Sequence, residues 1–328
     1  MSQGFHIVTR YLPVALATAL MAACGGGSSG SSNDGKPTTG SMKLSVTDAP
    51  IDSAEAVWVQ FRAVEFKPEG GEPVMQELRN TSGALDPQEL DLLALQGGHA
   101  AVLVNNVVLP AGRYEWIRLL VDNQPNVRDS YILMKDGSEC ELRVPSGDES
   151  GLKMNRGFTL PAEGSVALTV DFDLRKSIHA PPGQQGSGLN CTQGYLMRPV
   201  LRLVQDSEVG AIAGTVDLSR RSDPACTRMV YVFSDGQNPA NSTTPDDYDG
   251  SGVEPVVMVK ADEVTGAYKA TFLPSGNYTV AYTCAVDEPG VDDSLDATPF
   301  SFGPDKQGAT VQPNLVTTVN FGPLPTTP

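Results

Sequence analysis

Val166-Ala-Leu-Thr-Val-Asp-Phe-Asp-Leu174 decides the fold class. Val166, Leu168, Val170, Phe172 and Leu174 alternate with Ala167, Thr169, Asp171 and Asp173. A period of two places the first set on one face of a strand and the second on the other. The apolar face must be buried against a second layer, while the polar face tolerates water. Working outward, Val57, Val59 and Phe61 alternate in the same way, and the phase then shifts to Val64 and Phe66. That shift predicts a bulge near Arg62–Ala63. Tyr131–Lys135 and Glu139–Val144 flank Asp136–Gly137, a hairpin signal in which both turn residues tolerate positive φ. Leu90-Asp-Leu-Leu-Ala-Leu95 fits a strand or a short helix. Helical periodicity is scarce, and 33 Gly and 25 Pro cut the chain into short runs, the pattern of antiparallel sandwiches.

A local repeat links the two halves. Leu109-Pro-Ala-Gly-Arg-Tyr114 and Leu273-Pro-Ser-Gly-Asn-Tyr278 each precede a strand, with Pro and Gly shaping a tight turn and the Tyr ring packed inward. Around Gln205–Val209 one unit ends and another begins, opening on Ala211-Ile-Ala-Gly-Thr-Val216. The expectation is an all-β chain of two antiparallel β-sandwich domains in tandem, at residues 41–206 and 209–322. They follow a signal peptide (1–23) and a flexible tether (24–40).

The export signal has three segments. Arg10 is the cation of a short n-region, an apolar stretch runs from Tyr11 to Ala22, and Ala22–Ala23 lead into Cys24. Small residues before the cut suit signal peptidase, and a cysteine after it resembles a lipobox, with Met21 in place of the usual Leu. Cys24 is therefore the expected lipidation site, and the acylated amino terminus the expected membrane anchor. The apolar run is too short for a spanning helix, which needs roughly 20 residues. From Gly25 to Ser41 the chain is largely Gly, Ser, Thr, Asn and Pro, and a coil of that length lets the folded region stand roughly 20–25 Å from the bilayer. Gly25 after the cysteine fits sorting to the outer membrane, facing the periplasm or the surface.

With Cys24 acylated, Cys140, Cys191, Cys226 and Cys284 remain, an even number in an oxidising compartment. Four cysteines allow three pairings. Cys140 with Cys191 and Cys226 with Cys284 is the one that respects the domain split, and each loop contributes roughly 4 kcal/mol in the chain-entropy model. No CxxC or paired-His spacing points to zinc. The 39 Asp and Glu against 23 Lys and Arg, with a net charge of -16, would repel phosphate backbones and argue against nucleic-acid binding. They fit a soluble exported surface and, in places, calcium.

Leu44-Ser-Val-Thr-Asp-Ala-Pro50, Leu109-Pro-Ala-Gly-Arg-Tyr114 with Ile117-Arg-Leu119, Val144-Pro-Ser-Gly147, Leu168-Thr-Val-Asp-Phe-Asp-Leu-Arg-Lys-Ser-Ile-His179 and Arg198-Pro-Val-Leu-Arg-Leu203 occur in that order. Over residues 41–206 they resemble the bacterial "domain of unknown function 4382" family. The resemblance implies a lipoprotein-borne β-rich domain of the envelope or surface, with no established activity. Residues 209–322 resemble a carboxypeptidase-regulatory-like, or prealbumin-like, sandwich, on Thr265-Gly-Ala-Tyr268 followed by Leu273-Pro-Ser-Gly-Asn-Tyr-Thr-Val280. That module is expected to be a non-catalytic spacer or folding partner.

Two constellations carry chemistry. Alternation places Asp171, Asp173 and Arg175 on one strand face, where paired carboxylates could serve a glycosidase or hold a cation. The plainer expectation is a solvated face with Arg175 neutralising its neighbours. His179, before Pro181–Pro182, is a further candidate, with loop anchoring as its plainer role. Asp247-x-Asp249-x-Ser251-Gly252 copies the first half of a calcium loop, but Met258 stands where the bidentate Glu belongs. GxSxG, HExxH and Walker patterns are absent from the chain. The function expected is a non-enzymatic, lipid-anchored envelope protein that binds or scaffolds, with a polysaccharide or surface protein as partner and no cofactor beyond possible calcium. An enzyme of glycan processing using Asp171 and Asp173, and a calcium-stabilised adhesin, are the rival expectations.

Overall fold

In the computed structural model the alternating segment folds as strand Ser165–Phe172. The structure describes residues 38–48, 54–80, 82–122, 128–145, 151–179, 191, 194–220, 226–234, 255–284 and 306–323, which fall in one compact unit, Pro37–Pro328. Ser165–Phe172 is the inner neighbour of Thr39–Asp48 in a four-stranded sheet ordered Leu201–Gln205, Ser165–Phe172, Thr39–Asp48, Ala101–Pro110. The two central strands run parallel, with Met42 beside Val166, Leu44 beside Leu168 and Val46 beside Val170. These side chains are 8% exposed or less and face the second sheet, where Phe61 meets Phe172 edge-on at 6.1 Å between ring centroids.

The second sheet is built on the long strand Ala54–Pro68. Gly112–Val121 and Tyr131–Met134 pair with it, as do the short strands Val74–Glu77 and Gln88–Asp91. From Tyr131–Met134 the sheet continues through Glu139–Arg143 and Tyr195–Met197 to Ile178–His179. The expected bulge is present: the register against Gly112–Val121 slips between Phe61 and Ala63, so Val59 and Val64 both reach the core.

Residues 209–321 build a second pair of sheets around a separate core cluster. One sheet orders Ala267–Pro274, Val209–Thr215, Val316–Thr318; the other orders Val257–Lys260, Met229–Ser234, Gly276–Thr283, Lys306–Val311. Among the described residues these are seven strands in two sheets, as the carboxypeptidase-regulatory-like resemblance implies. Gly214 is needed here because a Cβ at that position would come within 1.6 Å of the Val319 carbonyl oxygen. Arg228, 1% exposed, closes one end of this core by donating from Nη2 to the carbonyls of Asp262 and Glu263 at 3.2 and 2.7 Å.

The chain is therefore all-β and sandwich-built, and several details differ from what the sequence patterns predict. Besides the central pair, Glu139–Arg143 with Tyr195–Met197 and Val209–Thr215 with Val316–Thr318 are parallel. The partners in each case lie far apart in the chain, so no hairpin dictates their direction. The alternating strand stops at Phe172 rather than Leu174, because Asp173 caps the short helix Leu174–Ser177. Leu90–Leu95 is both alternatives in turn, with strand Gln88–Asp91 leading into a 3₁₀ turn at Leu92–Leu95 capped by Asp91. At the Asp136–Gly137 turn Gly137 takes positive φ (82°) and Asp136 does not; Asp136 instead accepts from the Ser138 N–H at 2.9 Å.

Both copies of the repeat make the same hydrogen bond. The Tyr114 hydroxyl donates to the Pro110 carbonyl at 2.8 Å, and the Tyr278 hydroxyl donates to the Pro274 carbonyl at 2.7 Å. Each bond ties the third residue of a strand back across the turn that feeds it. Both rings are buried, so losing the hydroxyl strands a carbonyl away from water. Tyr114→Phe and Tyr278→Phe should each lower unfolding free energy by about 1–2 kcal/mol, with no change in the far-UV spectrum. Denaturant titration measures this, and equal loss at the two sites would show that the corner is one device used twice.

Candidate functional site

Asp171 lies on the outer face of the four-stranded sheet, directly opposite Arg202 on the neighbouring strand. Arg202 donates from Nε and Nη2 to Asp171 Oδ2 at 3.2 and 2.5 Å. Burial pushes the Asp171 carboxyl above its ordinary range, and Arg202 opposes that rise. The partner is thus Arg202, not Arg175, which corrects the expected strand face. Once the helix begins at Leu174, alternation ends, and Arg175 turns into a buried position, 4% exposed.

Asp173 is a helix cap. Its Oδ1 accepts from the Lys176 N–H at 3.3 Å, its carbonyl accepts from the Ser177 hydroxyl at 2.5 Å, and Lys176 Nζ lies 3.8 Å from Oδ2. Burial pushes its carboxyl from an ordinary 3.8 up to about 6, against the pull of Lys176 and with a further push from Asp171. His179 sits on the edge strand Ile178–His179. Burial holds its imidazole below the ordinary value, aided by the positive charge of Arg198 and opposed by a hydrogen bond to the Lys176 backbone. The structure thus brings Asp171, Asp173 and Arg175 into one electrostatic neighbourhood with Lys176 and Arg202, whereas His179 answers to Arg198.

The other candidates separate cleanly. Cys140–Cys191 and Cys226–Cys284 are disulfides, with Cα–Cα distances of 4.6 and 4.8 Å. Cys24 and the calcium candidates Asp247, Asp249 and Ser251 lie outside the described residues. Among the described residues no group of three or more His, Cys, Asp or Glu is placed to hold a metal ion, and no helix is long and apolar enough to cross a membrane.

Sequence patterns alone did not single out the outer face of the larger sheet. The chain has two tryptophans, and both lie there, half-buried, rather than in a core. Trp58 stacks on Tyr131 across the strand pair at 6.2 Å and 18°. Arg128 lies over the Tyr131 ring at 3.7 Å and forks onto Glu139 at 2.8 and 2.6 Å. Trp116, beside Lys67 in the register, has Arg118 and Lys153 each 4.7 Å from its ring centroid. Arg118 also pairs with Glu65 at 3.1 Å. The two aromatic stations are roughly 25–30 Å apart along Ala54–Pro68 at the rise of an extended strand. Parity was the available signal: Trp58 alternates with Val57 and Val59, and Trp116 with Ile117 and Leu119.

Residues 39–199, just under half of the chain, match the model of the family described as "Domain of unknown function (DUF4382)". The resemblance drawn from the ordered sequence blocks therefore holds over that stretch. No curated protein matches. Among solved structures, the Bacillus anthracis TIE protein is 14% identical with a TM-score of 0.19, over 86% of this chain and 33% of that one. The minor pilin GBS52 of Streptococcus agalactiae is 10% identical with a TM-score of 0.19, over 88% and 99%. The shaft pilin SpaA of Lactobacillus rhamnosus GG is 9% identical with a TM-score of 0.21, over 87% and 100%. This chain thus spans about a third of the TIE protein, and it covers 26% of a leucine-rich repeat protein from Bacteroides thetaiotaomicron. At these TM-scores none of the likenesses bears on shape or role.

The raised carboxyl of Asp173 sets a pH dependence. A carboxyl whose pKa is higher folded than unfolded stabilises the fold while protonated, and that contribution is lost as pH rises from 3.8 through about 6. The loss is on the order of 2–3 kcal/mol. Asp173→Asn keeps the cap acceptor and removes the charge. Its stability relative to wild type should therefore rise by about that amount between pH 4 and pH 7.5, measured by urea unfolding at each pH. A constant difference across that range would show that Asp173 ionises as freely in the fold as outside it.

Proposed function

We propose that this chain, whose residues 39–199 match a family with no assigned activity, is a non-enzymatic, lipid-anchored envelope protein that binds a polysaccharide. Its anchor is the acylated Cys24, and its tether is residues 24–40. The folded region beyond the tether is a tandem of sandwiches divided near residues 206–209. Support for that division comes from the 3₁₀ turn Asp206–Glu208, which joins strands of different sheets around different core clusters. Support for an oxidising compartment comes from two disulfides, each closed within one half.

The observation that carries the binding reading is the pair of aromatic stations on the outer face of the larger sheet. A flat indole face stacks against the C–H faces of a sugar ring, and neighbouring charged groups hydrogen-bond its hydroxyls. Two such stations on adjoining strands of one sheet face suit an extended polymer better than a compact ligand. The polar cluster that an enzyme would use is committed elsewhere: Asp171 is forked by Arg202 and Asp173 caps a helix.

Purified protein screened against a glycan library should show saturable binding without turnover. Trp116→Ala and Trp58→Ala should each weaken it about tenfold or more, while Asp171→Asn should leave it unchanged. Turnover lost in Asp171→Asn and Asp173→Asn would overturn the binding reading in favour of an enzyme. The anchor has its own test: Cys24→Ala should move the protein from the membrane fraction to the soluble one.

A further inference from the structure

Strand Ala101–Pro110 ends the four-stranded sheet, and among the described residues no strand pairs with its outer edge. It is the longest edge strand described, and its sequence, Ala-Val-Leu-Val-Asn-Asn-Val-Val-Leu-Pro, carries no charge. The next longest, Ala267–Pro274, carries Lys269. Open strand edges are templates for pairing, and chains blunt them with charge, proline or short length. This one has ten residues in a chain with a net charge of -16, so it is the stretch of edge where two copies meet with least repulsion. Val102 and Val108, which point away from the core, are 42% and 68% exposed.

The sequence is also close to a palindrome about Asn105–Asn106. Laid antiparallel on a second copy with a two-fold axis between those residues, the inward Val104 meets the other copy's Val107, and beyond the second register slip, at Leu103, the outward Val102 meets its Val108. Asparagine meets asparagine at the centre. A closed two-fold interface needs a self-complementary patch, and few sequences supply one along a strand. Asn106 has a positive φ of 53° and lies where the register against Thr39–Asp48 slips. The strand therefore twists at its midpoint, and the pairing falls into two short symmetric ladders on either side of the asparagines. We infer that the outer edge of Ala101–Pro110 is a homodimer interface, joining the four-stranded sheets of two copies into one continuous antiparallel sheet.

This inference is independent of the polysaccharide reading, whose stations lie on the other sheet. The test is the sedimentation of the exported full-length chain as Cys24→Ser. A dimer is expected, strengthened by salt as the repulsion between acidic copies is screened. Val102→Lys with Val108→Lys, both exposed, should raise the half-dimer concentration by about tenfold or more and leave thermal melting unchanged. Asn105→Cys should crosslink to its mate through a short bis-maleimide, while Asn314→Cys, remote and exposed, should not. A monomer up to about 1 mM, a dimer indifferent to the lysines, or no crosslink at Asn105 would each overturn the assignment.

Discussion

The parallel pairing of Thr39–Asp48 with Ser165–Phe172 is the constraint on which the first half of the molecule depends. It places the first described strand beside one more than a hundred residues later, in register from Ser41 to Asp48. Both strands are buried on their inner face by apolar side chains. Toward the far end their outer faces are closed by polar residues with partners: Thr47 donates to the carbonyls of Leu95 and His99, and Thr169 donates to Asp206. Burying these two threonines costs little because each hydroxyl has an acceptor. Everything in between, including the long strand with its bulge, must be laid down around this pair.

Much of this was legible in the alternating runs. Period-two patterns identify the inward residues of Ser165–Phe172 and Ala54–Pro68 directly, and the phase shift after Phe61 locates the bulge. Strand direction was not legible, because alternation says which face is buried and nothing about which neighbour lies alongside. The end of the alternating strand was missed for a local reason: Asp173 looks like one more polar position until its carboxylate is seen to accept the Lys176 N–H. An Asx residue at such a point serves a strand face or a helix cap equally well from its sequence alone. The disulfide pairing followed from the domain split. The aromatic stations were available in the parity of Trp58 and Trp116 but went unread, because tryptophan is ordinarily taken for core.

Charge is distributed with the same economy. The polar cluster near Asp171 is dense enough to resemble an active centre, yet its carboxylates are claimed by Arg202 and by a helix terminus. Strongly shifted acids mark functional sites only in probability, since structural ion pairs shift them too. The outer face of the larger sheet offers the opposite arrangement: two half-buried indoles and the more deeply buried Tyr131 ring, with long-stemmed cations over Trp116 and Tyr131.

The Cys140–Cys191 bond has a consequence for how the larger sheet is finished. Strands Glu139–Arg143 and Tyr195–Met197 run parallel, so no turn of a few residues can connect them. The disulfide anchors the segment before Tyr195 directly to Glu139–Arg143, at a Cα–Cα distance of 4.6 Å. It serves as a covalent turn, supplied by an oxidant instead of by local sequence. The last two strands of that sheet, and His179 with them, are therefore the margin of the fold whose placement is completed by redox chemistry. In a reducing compartment these strands would be held by their ladder and by Ile178, Tyr195 and Met197 in the core cluster alone.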